Sequence, residues 1–430
     1  MIRADLAIRR IGLLATVAGR APRTGPAMRD LGALTDAAVA VSAGRIAWVG
    51  ADADFDREVT LASGVPTLDA EGAAVVPGLV DPHTHLVFAG DRDDELRRRL
   101  AGVSYREIAA AGGGIVRSVD ATRDASVEDL AAGVEARLDE MLLCGTTTAE
   151  VKSGYGLETG AELRCLEAIH GAASRHPVTV VATFLGAHEV PLDYRDRRED
   201  YVSLVVEQMI PAVAEQGMAE FGDVFCEEGV FTVEESRKIL LATREHGMKL
   251  RIHADELVWT GGAELAAELG ARSADHLGFI SEEGMTALAA ASCVATLLPS
   301  ATFYLRLGHY APARSIIEAG APVALASDIN PGGGLSPSLP FAMSVGCFSM
   351  GLALEEALVG VTANAAFSLD RYEEIGSIEV GKCADLVVLR SSRLLDLVRV
   401  GVGAVRTVVK DGRVVVRDGR RVDEPHGAAR

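Results

Sequence analysis

The chain has 430 residues, 49% of them hydrophobic, with 45 glycines and a formal net charge of −19 at pH 7. That length exceeds what one core usually serves, so a large domain with a smaller companion is expected. The acidic balance argues against nucleic acid and anionic membrane surfaces as partners, and no run of about 18 apolar residues is present to span a bilayer.

Residues 1 to about 74 carry short β-like runs split by turn residues. The apolar stretch Ile11 to Ala18 after Arg9-Arg10 has the outline of an export signal, but Asp5 and the run Leu6-Ala7-Ile8 read as a strand. Ala38–Val41 and Arg45–Val49 flank Ser42-Ala43-Gly44, a hairpin signature. At the far end, Ala384–Leu389 precedes a valine-rich pair of runs, Val405 to Val416, divided by Asp411-Gly412, a strong hairpin signal. Two β-rich ends around a long middle predict a small β-sandwich built from both termini, residues 1–74 and 373–430. The barrel described next would occupy residues 75–372.

The middle alternates apolar runs with helical stretches, the pattern of βα units and a parallel sheet. Eight strands are predicted, ending near His85, Val151, His188, Glu227, His253, His276, Pro299 and Asp328. The first includes the apolar run Ala73 to Val80, read as one buried strand. Glu128–Leu143 and Ile280–Ala291 have the 3.6-residue period of amphipathic helices. The fold class is therefore α/β, a (β/α)8 TIM-like barrel whose strand ends open into an active site. Six cysteines without a CxxC pair, several in apolar runs such as Val224-Phe225-Cys226, read as reduced core residues of a cytoplasmic protein.

His83 and His85 are two apart, so on a strand both imidazoles leave one face. A lone histidine at a strand end is more often a packed core or capping residue. Here, however, His83/His85, His188, His253, His276 and Asp328 all fall at predicted strand ends in a chain with only 10 histidines. Three imidazoles and one carboxylate are an ordinary ligand set for Zn²⁺ or Fe²⁺ with a position left for water.

These residues resemble the amidohydrolase superfamily, and more closely its imidazolonepropionase family. The likeness rests on Thr84-His85-Leu86-Val87-Phe88-Ala89-Gly90-Asp91-Arg92, Val151-Lys152-Ser153-Gly154-Tyr155-Gly156-Leu157, Thr183 to His188, His253-Ala254-Asp255-Glu256, Ser273 to Leu277 and Ser327-Asp328-Ile329-Asn330-Pro331-Gly332. Gly376 to Lys382 extends it into the sandwich. The resemblance implies a metal-dependent cyclic amide hydrolase that opens 4-imidazolone-5-propanoate to N-formimidoyl-L-glutamate in histidine degradation. Its implied ligands to one divalent metal, zinc or iron, are His83, His85, His253 and Asp328. Arg92, Tyr155 and Tyr105 would grip the substrate, His188 and Glu256 would line the reacting ring, His276 would assist at the carbonyl, and Asn330 with Gly332 would meet the product. Where the family pattern has a hydroxyl residue after the glycine of Asn-Pro-Gly, this chain has Gly333, and Ser336 is the candidate replacement.

The residue types suit that chemistry. Asp328 can take a proton from water and Glu256 can relay one to a leaving nitrogen. The planar fork of Arg92 matches a carboxylate, although Asp91-Arg92-Asp93-Asp94-Glu95 could equally be a solvated charged run. The fourth predicted strand, Asp223 to Glu227, offers no lysine to bridge two ions, which favours one metal. A related reading is a mononuclear aminohydrolase of a purine or similar heterocycle, which needs no guanidinium for a propionate arm. A barrel retained only for binding would be signalled by a missing ligand, and none is missing. The expected partner is a small-molecule substrate, with a homodimer as the assembly.

Overall fold

A computed structural model describes the chain except residues 63, 104–106, 109–111 and 423–430. Among the described residues, eight parallel strands follow one another in chain order: Leu79–Asp81, Thr146–Lys152, Thr179–Ala187, Phe221–Cys226, Lys249–Ala254, Ser273–His276, Val294–Leu297 and Val323–Leu325. Helices lie between successive strands and cover the sheet, so strands such as Thr146–Lys152 are buried along their whole length. The seam between the last and first strands is shut by segments just beyond them. Asp328 N donates to His83 O at 3.1 Å and His85 N to Ile329 O at 2.9 Å. Below them, Asp81 Oδ1 accepts from Ser327 N at 3.1 Å. The barrel is thereby brought near closure.

Both chain ends enter one nine-stranded sheet beside the barrel. Leu6–Ala15 lies against Ala33–Ser42, and Leu386–Leu389 pairs with Val405–Lys410 and with Ala74–Pro77. One face buries Ile8, Ile11, Val39, Val75, Leu386 and Val388. The other face, through Ala7, Ala38 and Ala40, packs on a two-stranded ribbon, Ile2–Ala4 with Val59–Leu61. Alternate residues of the same strands thus fill two layers. The export-like run is part of the long strand Leu6–Ala15. Both predicted hairpins form, with Ala43-Gly44 and Asp411-Gly412 all at positive φ, as a two-residue I′ turn requires.

Three expectations change. The run read as one strand from 73 to 80 is two: Ala74–Pro77 belongs to the sheet of the termini and Leu79–Asp81 to the barrel. The first barrel strand stops at Asp81 because Pro82 has no N–H to offer the ladder. His83 and His85 therefore sit in the segment after the strand. Likewise the eighth strand ends at Leu325, and Asp328 lies three residues on, in a loop, with φ of 52°.

Candidate active site

The C-terminal rim of the barrel carries a pocket lined by His85, Arg92, Tyr155, His188, His253, Glu256, His276, Asp328, Asn330 and Gly333. Its floor is a cluster of buried donors. One ligand atom from each of His83, His85 and His253 lies within 4.8 Å of the others. The Nε2 atoms of His83 and His85 are 3.2 Å apart, and Asp328 Oδ1 lies 3.7 and 3.5 Å from them. His85 Nδ1 and His253 Nε2 are buried without a hydrogen-bond partner, although buried polar atoms are normally satisfied. Three imidazoles and a carboxylate around one point suit a divalent transition metal.

Burial holds His83, His85 and His276 well below the usual imidazole range, and it takes His188 down to about 3, with neighbouring histidines adding to the effect. All four are neutral at working pH. Burial pushes the Asp328 carboxyl the other way, up to about 8. A carboxyl raised on folding weakens stability as pH rises from its unfolded value of about 3.9 toward the folded one. A cation beside it cancels that loss. The rise in Tm caused by added Zn²⁺ is therefore expected to grow between pH 5.5 and 8.5. A thermal shift that stays flat over that range would place Asp328 away from the ion.

Around this floor the chain aims its other groups. His188 Nδ1 donates to Gly154 O at 3.0 Å, and its ring stacks on His85 with centroids 4.9 Å apart. Tyr155 is buried, with its ring edge-on to His188 at 5.3 Å. Its loop is held by Glu162, whose carboxylate accepts the N–H groups of Gly154, Gly156 and Leu157. Glu256 Oε1 lies 3.6 Å from His276 Nδ1, and its side chain is 13% exposed, so it is no solvated loop residue. Its backbone is fixed by Glu227, which accepts from Glu256 N and Leu257 N, both at 2.9 Å. Desolvation, then Asp328 and Glu227, push the Glu256 carboxyl well up.

Arg92 is 5% exposed, which removes the solvated-run alternative for it. Glu95 orients it, with Oε2 at 2.8 Å from Nε and 2.7 Å from Nη2. Gly332 shapes the same corner: a Cβ there would stand 2.0 Å from Arg92 Nη1, so only glycine leaves room for the guanidinium. Asn330 spends its side chain on its own loop, donating to Asp328 O and accepting from Gly332 N and Gly333 N. Ser336 is not in the pocket lining, and its hydroxyl accepts from Ser338 N. Tyr105 lies outside the described residues.

Residues 74–415 match the amidohydrolase family. An imidazolonepropionase of Symbiobacterium thermophilum is 50% identical over 412 residues, spanning 95% of this chain and 97% of that protein. One from Alkaliphilus oremlandii is 46% identical over the same shares of each. The chain belongs to the amidohydrolase family, among the imidazolonepropionases. A zinc-bound adenosine deaminase from Xanthomonas campestris shares the fold alone, with a TM-score of 0.71 at 19% identity over 98% of this chain and 95% of that one.

In this amidohydrolase, sequence reading missed the charges beneath the histidines. His83 Nδ1 is 2.6 Å from Asp275 Oδ2, and His253 Nδ1 is 3.0 Å from Asp223 Oδ2. Glu150, Lys152 and Arg251 are fully buried beside those carboxylates. The available signal was charged residues at every second position of otherwise apolar strands, as in Glu150-Val151-Lys152. The pocket walls Ile115, Phe225, Leu257 and Leu305 carried no such signal.

Proposed function

We propose that this chain hydrolyses 4-imidazolone-5-propanoate to N-formimidoyl-L-glutamate, using one divalent ion per chain, zinc or iron, held by His83, His85, His253 and Asp328. The observation that carries the reading is a single pocket in which a buried guanidinium, Arg92, faces the three-histidine cluster. The relatives named for this activity support it over nearly the whole chain. An ion held there supplies a nucleophilic water near neutral pH and polarises the ring carbonyl.

The remaining work belongs to the side chains. Arg92 and Tyr155 hold the propionate arm, and the neutral His188 lines the ring. Asp328 takes a proton as the water oxygen bonds to the carbonyl carbon. The bond from that carbon to the ring nitrogen breaks, and Glu256 delivers a proton to the departing nitrogen. Its raised proton affinity suits that transfer. His276, beside Glu256, assists at the carbonyl oxygen. Gly333 leaves the substrate without the hydroxyl contact of the family pattern, so backbone and Arg92 carry more of its recognition.

An assay on two substrates with two proteins tests this. A carboxylate held by a guanidinium in a partly dry pocket gains a charge-assisted bond of about 1.5–3 kcal/mol. Arg92→Ala should therefore lower kcat/KM for the propionate substrate by about 10- to 100-fold. Arg92→Lys should recover only part, because it keeps the charge and loses the fork. An imidazolone without the propionate arm should be a poor substrate and nearly indifferent to both changes. Equal damage to both substrates would make Arg92 structural, and preference for a carboxylate-free purine would install the aminohydrolase reading instead.

The six cysteines are all unpaired, which supports a reducing, cytoplasmic setting. Among the described residues no helix is long and apolar enough to cross a membrane. A homodimer is part of the proposal, supported by exposed apolar side chains such as Phe348, 80% accessible on helix Leu339–Met350.

A further inference from the structure

Below the pocket floor the barrel interior holds a charged layer that no step of the reaction touches. Lys152, on the second strand, is fully buried, with Nζ 2.7 Å from Glu150 Oε1, 2.8 Å from Asp223 Oδ2 and 3.9 Å from Asp275 Oδ2. Asp223 and Asp275 come from the fourth and sixth strands and face the Nδ1 atoms of His253 and His83. Arg251 backs the same group, 3.3 Å from Asp275 Oδ2. A single ammonium therefore stands between the two carboxylates that orient two of the three clustered imidazoles.

We propose that Lys152 is a positioning residue: by fixing Asp223 and Asp275 it sets the orientation of His253 and His83, and so how tightly the site holds its ion. The proposal rests on the metal reading of that site. A carboxylate only accepts, so His83 gives Asp275 its Nδ1–H and turns a bare Nε2 toward the pocket, and Asp223 Oδ2, 3.0 Å from His253 Nδ1, favours the same tautomer there. Asp223 Oδ1 is already engaged by His253 N and Val224 N. Its Oδ2 is shared between Lys152 and the His253 ring, so the ammonium decides where that oxygen stands. Without it, Asp223 faces Glu150 across a buried gap, and one of them must turn or take a proton.

The test uses the full chain, the metal-loaded and metal-free forms, and two variants. Lys152→Met leaves three carboxylates against one cation and can weaken the fold. Lys152→Met/Glu150→Gln returns the cluster to the parent's net charge while leaving Asp223 and Asp275 in place. The double variant is expected to melt near the parent when metal-free. It should nonetheless lose Zn²⁺ to a chelator about 10- to 100-fold more readily, the usual cost of disturbing groups behind a ligand. The visible absorption of its Co²⁺-loaded form should shift as well. A double variant that holds the ion as tightly as the parent, with unshifted bands, would overturn the assignment. Failure to fold despite balanced charge would do the same, since Lys152 would then serve the barrel core. The metal reading itself fails on a different result, a parent protein that takes up no stoichiometric ion.

Discussion

His253→Ala is expected to strip the purified protein of most of its metal and nearly all its turnover, while the barrel and the sheet of the termini stay folded. His253 sits on the strand Lys249–Ala254, whose ladder bonds run through the backbone and survive loss of the ring. Its Nε2 is buried with no hydrogen-bond partner, so that side of the ring is left for the cluster, while Nδ1 faces Asp223 Oδ2 at 3.0 Å. Losing the ion removes both water activation and carbonyl polarisation. The damage should therefore exceed the 10²- to 10⁴-fold typical of a single acid–base group. The parent should carry about one ion per chain, because the fourth strand, Phe221–Cys226, supplies no lysine to bridge a second. Elemental analysis alongside circular dichroism checks both points. Parental metal content in the variant, or two ions per parent chain with both required, would sink the assignment.

Glu256→Gln is expected to keep the metal and cut kcat by about 10²-fold or more. The amide preserves shape and backbone, which Glu227 holds through Glu256 N and Leu257 N, but it cannot pass a proton. KM should change little, because the residues proposed to grip the substrate, Arg92 and Tyr155, lie on other loops. Desolvation and the nearby Asp328 favour the protonated form of Glu256, so it remains a competent acid to higher pH than an ordinary glutamate. As pH rises through its folded pKa the parent should lose rate, and the variant should lack that limb. A near-normal rate, or an unchanged pH profile, would make Glu256 a bystander.

The strand periodicity and turn residues made the barrel and both hairpins legible, because each depends on local pattern. The position of His83 and His85 beyond their strand was not, although Pro82 was the residue to weigh: a two-residue spacing survives in any extended segment. The pocket histidines stood out as rare residues at repeated places. Lys152, Asp223 and Asp275 did not, because their meaning lies in contacts between strands far apart in sequence. Gly332 could be read as a loop glycine, but only the packed guanidinium of Arg92 explains why it has no side chain.

The seam of the barrel is drawn by the same residues that cluster at its rim: His83 O and His85 N on one side, Asp328 N and the adjoining Ile329 O on the other. An ion joining His83, His85 and Asp328 is thus also a cross-link between the first and last strands, closing a loop that contains almost the whole barrel. Removing it releases that clamp at the place where the ladder is thinnest. Amide hydrogens of His85 and Asp328 should exchange with deuterium faster in the metal-free form, ahead of those in the central strands. Proteolysis of the demetallated enzyme should begin at the same edge.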